Sequence, residues 1–291
     1  VGRHRLAIAL LVVACALVTA CKPYHETTPP GAGTVRYRDA VFTGVTVTED
    51  VPYGKAARIS GSLQTLKLDV YQPTGDTVAK RPAIVWVHGG GFRTGDKDSP
   101  EIVDQATTFA KMGYVNVSID YRLTKGCAPF TDECIRGIEM AYHDAQAAVR
   151  FLRRYASTYK IDVNRIAIGG SSAGGITAYN VAYGSDKVGH SGNPGFSSKV
   201  QAAVSLSGAS LTTKADPGEP PTLDFHGDAD GIVPLSWTNS TIADARKARV
   251  IAELVVWKGD GHVPYGKHRT QIIDQTRNFL FASMDLSKAA K

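Results

Sequence analysis

Seven short apolar runs recur along the chain: LKLDVY (66–71), AIVWVHG (83–89), YVNVSID (114–120), RIAIGG (165–170), QAAVSLSG (201–208), TLDFHG (222–227) and IAELVVW (251–257). Several are apolar without alternation, the pattern of strands covered on both faces. Helical patterns lie between them. PEIVDQATTFAKMG (100–113) has apolar positions near helical spacing and a glycine stop; IRGIEMAYHDAQAAVRFLRRYASTY (135–159) is the longest; others follow SSAGG or occupy 237–248 and 270–284. Strand and helix in alternation predict an α/β fold, a mostly parallel central sheet with helices on both faces. The stretch 35–71, rich in Val, Thr and Tyr, predicts an antiparallel hairpin at one edge. With 43% hydrophobic residues and no internal repeat, residues 35–291 read as one domain with a large core.

Two glycine-rich turns follow predicted strands. Gly170-Ser171-Ser172-Ala173-Gly174 is a G-x-S-x-G sequence where a buried strand meets a helix, so Ser172 is the candidate nucleophile and Ser171 a support for the turn. Alone, such a motif is often just a Ser/Gly turn. Upstream, His88-Gly89-Gly90-Gly91 ends another core strand, and consecutive glycines expose N–H groups able to converge on a developing oxyanion. A base is offered by His262, in the Gly-flanked loop KGDGHVP after the final strand; His268 reads as a surface or capping residue at the start of the last helix. For an acid, the loop HGDADGIVP holds both Asp228 and Asp230.

These motifs, with SIDYRL (118–123), LKLDVYQP (66–73) and HGDADGIVP (226–234), resemble the α/β-hydrolase family, in its carboxylesterase and hormone-sensitive-lipase-like branch, over about residues 40–285. The resemblance implies an α/β-hydrolase fold and a serine carboxylesterase. Its triad would be Ser172, Asp230 and His262, since the family pattern places the acid two residues after the HGD aspartate. The N–H groups of Gly90, Gly91 and Ala173 would form the oxyanion hole, and His88 would be structural. Neither metal nor cofactor is expected, and the partner is an ester substrate. Only about a dozen residues, ASLTTKADPGEP, follow QAAVSLSG before the next strand. Little or no cap domain is therefore expected, which favours short-chain or polysaccharide-linked esters. An acyltransferase, a serine peptidase of the same fold and a non-catalytic binding module are the competing readings.

The N-terminus carries Arg3 and Arg5, an apolar run from Leu6 to Val18, then Thr19-Ala20-Cys21. It reads as a secretory signal, residues 1–20. Val18-Thr19-Ala20-Cys21 resembles the lipobox of bacterial lipoproteins; Val12-Val13-Ala14-Cys15 fits more loosely. Cys21 would then carry a lipid that anchors the exported protein to a membrane, and the polar, Pro- and Gly-containing residues 21–34 would be a tether. In an oxidising compartment, Cys127 and Cys134 are expected to form a disulfide across CAPFTDEC. The net charge of +6 is scattered, and Arg150, Arg153 and Arg154 read as a solvated helix face rather than a nucleic-acid surface.

Overall fold

The computed structural model describes residues 33–128 and 130–289. Its strands are β1 (Val45–Ala57), β2 (Leu63–Pro73), β3 (Arg81–Val87), β4 (Val115–Ile119), β5 (Ile161–Ser171), β6 (Ala202–Leu206), β7 (Thr222–Gly227) and β8 (Ala252–Trp257). They form one sheet in the order β1-β2-β4-β3-β5-β6-β7-β8. β1 and β2 pair as the predicted edge hairpin, β2 meets β4 antiparallel, and every other pairing is parallel. The connection from β6 to β7 contains no helix, so no cap is inserted there.

The helices are α1 (Pro100–Lys111), α2 (Asp132–Arg154), α3 (Ala156–Tyr159), α4 (Ala173–Tyr183), α5 (Leu235–Lys247) and α6 (Tyr265–Ser283). They divide between the two faces because strand side chains alternate. In β3, Ala83, Val85 and Val87 join a core with α2, α4 and α5, whereas Ile84 and Trp86 join a second core with α1 and α6. The buried Trp86 indole donates to Asn116 Oδ1 at 3.0 Å, so its N–H costs nothing to bury.

Helix ends differ from the sequence reading for local reasons. α2 starts at Asp132 rather than 135, because Thr131 Oγ1 accepts from the Cys134 N–H and two acidic residues occupy the first turn. It stops at Tyr155 (φ −104°, ψ 26°), which separates the short α3 from the expected single helix. α6 starts at Tyr265 rather than 270 and bends at His268 (φ −116°, ψ 16°).

Of the arginine group on α2 only Arg154 is exposed; Arg150 and Arg153 do not form a solvated face. Arg150 is fully buried, and its Nε donates to the Gly192 carbonyl; Arg153 donates to the carbonyls of Ser197 and Lys199. These side chains tie the helix to the irregular segment before β6, a tertiary contact that no local pattern announces.

A buried ion pair fixes the loop after β3. Lys97 Nζ lies 2.9 Å from Asp69 Oδ2 on β2, and the Lys97 N–H donates to Asp120. Burial works against the ammonium, but hydrogen bonds to Asp69 and Asp98 outweigh it and raise the Lys97 pKa.

Cys127 and Cys134 are disulfide-bonded, joining the segment after β4 to the first turn of α2. Cys134 is fully buried. Closing so short a loop stabilises the domain by about 2.5 kcal/mol in the chain-entropy account. The Cys127→Ser, Cys134→Ser double variant is therefore expected to fold with a melting temperature roughly 5 °C lower, read by differential scanning calorimetry. An unchanged melting temperature would show that the bond does not constrain the domain.

Candidate active site

Ser172 sits where β5 turns into α4, in a conformation costly for any residue with a side chain (φ 53°, ψ −117°). The turn is held from several sides. The Ser172 N–H donates to the Leu206 carbonyl at 2.7 Å, and its own carbonyl accepts from Ile176 at the start of α4. A Cβ on Gly174 would stand 2.0 Å from the Val87 carbonyl oxygen, so glycine is required for the helix to lie this close to β3. Ser171, the alternative serine, points away: it is buried, and its Oγ donates to Glu101 Oε1 on α1 at 2.9 Å. Ser171 thus ties the turn to α1.

His262 and Asp230 arrive from two other loops at the same sheet edge. His262 Nε2 lies 2.7 Å from Ser172 Oγ, and its Nδ1 lies 2.7 Å from Asp230 Oδ2. A carboxylate can only accept, so Nδ1 carries the proton and Nε2 presents a lone pair to the serine hydroxyl. Asp230 Oδ1 accepts from the Ile232 and Val233 N–H groups at 2.9 and 3.0 Å. Burial pushes the Asp230 carboxyl up, but these bonds and the His262 contact outweigh it, so the group lies below the ordinary carboxylate range. Asp228 instead accepts from the Gly259 N–H at 2.6 Å and does not reach His262.

Beneath Asp230 lies a pair to which the sequence reading gave no role. His226 is fully buried; its Nδ1 faces Asp224 Oδ1 and Thr238 Oγ1, and its Nε2 faces the Val233 carbonyl and Asp230 Oδ2. Thr238 spends its proton on the Gly208 carbonyl, so both ring nitrogens meet acceptors, an arrangement best satisfied by the imidazolium. Burial pushes the ring down, but the bond to Asp224 and its charge outweigh that and leave His226 above its ordinary pKa. Burial raises the Asp224 carboxyl. The histidine that opens HGD was visible in the sequence; its burial was not.

His268 is not a surface residue. Its ring stacks on Trp257 at 4.0 Å and its Nε2 bonds Asp260, which also pairs with Lys267. Asp260 in turn accepts from the Ala229 N–H through its carbonyl, linking the loops of His262 and Asp230. The Val263 N–H donates to Ser207 Oγ at 3.0 Å, and both residues have positive φ. Tyr265 and Arg269 fasten α6 to Asp104 of α1, at 2.6 Å for the tyrosine hydroxyl.

Gly90 and Gly91 face Ser172 across the site. Gly90 has φ 103°, and a Cβ there would stand 2.0 Å from the Thr94 carbonyl oxygen. Among the described residues the Gly90 and Gly91 N–H groups have no backbone acceptor, and Ala173 is the first residue of α4, where helix N–H groups lack partners. His88 is buried, stacked on Tyr121 at 4.2 Å, with burial pushing its pKa down. It is held out of the Ser172 contact.

Two cavities meet at Ser172. One, of about 300 Å³, has Ala173, Ile176, Leu211, Val233 and Trp237 in its wall; the other, of about 560 Å³, includes Glu101, His262 and Tyr265. Among the described residues no group of three or more metal-ligating side chains occurs. Cys21 lies outside the described residues, as does most of the predicted tether.

The native esterase 2 of Thermogutta terrifontis superposes with a TM-score of 0.64 at 24% identity, covering 88% of this chain and 95% of that one. With the sheet order above, this shows an α/β-hydrolase fold. Secreted lipase 5 of Gibberella zeae is 26% identical over 56% of this chain and 33% of its own length. Phenmedipham hydrolase of Pseudarthrobacter oxydans is 32% identical over 53% of this chain and 31% of its own. Esterase LipI of Mycobacterium tuberculosis is 33% identical over 38% and 32%. The chain spans about a third of the length of these curated relatives. The family model described as BD-FAE matches residues 68–215, just over half of the chain, and on that match the chain belongs to the BD-FAE family.

Proposed function

We propose that the protein is a serine carboxylic-ester hydrolase, carried by residues 35–291, with Ser172, His262 and Asp230 as its triad. The observation that carries this reading is the continuous chain of 2.7 Å contacts from Ser172 through His262 to Asp230, beside N–H groups without backbone acceptors. Relatives named as esterases and hydrolases support the same chemistry. His262 takes the Ser172 proton as the hydroxyl oxygen attacks the ester carbonyl, and the N–H groups of Gly90, Gly91 and Ala173 receive the oxyanion. The C–O bond to the alcohol breaks as the imidazolium returns its proton to the leaving oxygen, giving an acyl-enzyme. Water, deprotonated by the same imidazole, then releases the carboxylic acid. Asp230, held anionic by the Ile232 and Val233 N–H groups and its bond to His262, fixes the His262 tautomer and offsets its positive charge.

The leaving oxygen must reach His262, so the cavity that includes His262 takes the alcohol and the one without it takes the acyl group. An acyl cavity of about 300 Å³ suits short or compact acids. The open alcohol side admits a bulky or polymeric alcohol such as a polysaccharide. We further propose export with a lipid on Cys21 and residues 21–34 as its tether, supported by the lipobox-like sequence, the disulfide and a relative named as a secreted lipase. Among the described residues no helix is long and apolar enough to cross a membrane.

Ser172→Ala should abolish covalent labelling by a fluorophosphonate and lower kcat about a million-fold, while Ser171→Ala keeps the label. A labelled Ser172→Ala protein would remove the nucleophile from this position. Asp230→Asn should lower kcat roughly ten-thousand-fold through the wrong histidine tautomer, with Asp228→Asn losing far less; equal losses in steady-state kinetics would undo that assignment. Cys21→Ala should stop incorporation of labelled fatty acid and move the protein from the membrane to the soluble fraction. Unlipidated, soluble wild-type protein would refute the anchor.

A further inference from the structure

The two cavities at Ser172 differ in sign. The acyl cavity includes two cations, Arg93 and Lys125, and no acidic residue; the alcohol cavity includes the carboxylate Glu101 and no Lys or Arg. Arg93 is exposed and has no carboxylate at salt-bridge distance among the described residues. Lys125 has Glu133 at 3.5 Å, but its side chain is 87% exposed, so the pair is weakly held and Lys125 can turn to another carboxylate.

The two cations share one wall. The Thr124 N–H donates to the Phe92 carbonyl at 2.8 Å, joining their segments backbone to backbone. The segments also touch at Gly126, whose Cβ, if present, would stand 2.9 Å from Arg93 Cβ. The disulfide holds the next residue, Cys127, to α2, so the Lys125 side of the wall is tethered at a fixed point. Around these charges the wall is apolar, with Ile176, Leu211, Val233 and Trp237. Such a cavity can hold a hydrocarbon segment beside Ser172, with the two cations in the same wall.

We propose that Arg93 and Lys125 select acyl groups ending in a carboxylate, so that preferred substrates are monoesters of dicarboxylic acids. This rests on the serine-esterase reading above and names its substrate class. The distal carboxylate meets the two cations while its ester carbonyl sits at Ser172. An acidic alcohol is disfavoured by Glu101 on the other side. A neutral acyl group gains the apolar contacts but leaves Arg93 without a counter-ion and Lys125 with Glu133 alone.

The test compares monoethyl esters of succinic to suberic acid with ethyl esters of the monoacids of equal chain length, by pH-stat at low ionic strength. At the best-fitting length kcat/KM for the diacid monoester should exceed that for its neutral partner about three- to five-fold, a size within reach of exposed charges. The ratio should fall toward parity in the Arg93→Gln, Lys125→Gln variant, and in the wild type as salt is raised, which requires no variant to fold. A ratio at or below parity at every length overturns the proposal, as does a preference untouched by both salt and the variant. Turnover of neutral esters without a diacid preference sinks the charge selection alone. Failure to hydrolyse either series, with Ser172 unlabelled by a fluorophosphonate, sinks the esterase reading and this proposal with it.

Discussion

The site depends first on the strained backbone of Ser172. A serine at φ 53° and ψ −117° costs on the order of 1–3 kcal/mol, and it persists because its surroundings leave no alternative. β5 delivers it, α4 begins immediately after it, Leu206 holds its N–H, and Gly174 lets the helix approach Val87. The strain places Oγ at the sheet edge, above the helix N-terminus whose free N–H groups favour negative charge. Relaxing the turn would move the hydroxyl and the Ala173 N–H together.

The partners of Ser172 converge because β7 and β8 run parallel to β5 and end at the same edge. Their loops are joined to each other rather than left free: Asp260 links to Ala229, His268 and Lys267, and Ser207 holds Val263. The bonds from His262 and from the Ile232 and Val233 N–H groups keep Asp230 below the ordinary carboxylate range although it is only 7% exposed, and His226 lies 3.3 Å beneath it. An isolated buried carboxylate would be neutralised; this one is surrounded by donors.

Much of this was legible in the sequence because it is local. Runs such as AIVWV and RIAIGG announce strands covered on both sides, and glycines around Ser172 and at Gly90 announce backbone that a side chain would obstruct. The geometry brings Ser172 and Asp230 each within hydrogen-bond distance of His262, and gives Asp228 and Ser171 other partners. What escaped depends on contacts distant in sequence. Arg150 resembles any helix-surface arginine until the segment before β6 covers it, and Lys97 resembles a loop lysine until β2 presents Asp69. His268 looked like a capping residue because its stacking partner, Trp257, belongs to the preceding strand. Helix starts shifted for a smaller reason: the Thr131 cap and the bend at His268 act over a single turn, below the resolution of an apolar periodicity.

The central claim is that an acyl group passes through Ser172 Oγ, and rapid quenching with acid during turnover of an activated short-chain ester tests it directly. Mass spectrometry of the digested protein should find the substrate's acyl group on the peptide spanning Ser171 and Ser172, with fragmentation assigning it to Ser172. It should form as fast as the first alcohol is released. Hydrolysis proceeding with no acylated peptide, or with the acyl group on Ser171 or another residue, would contradict the account.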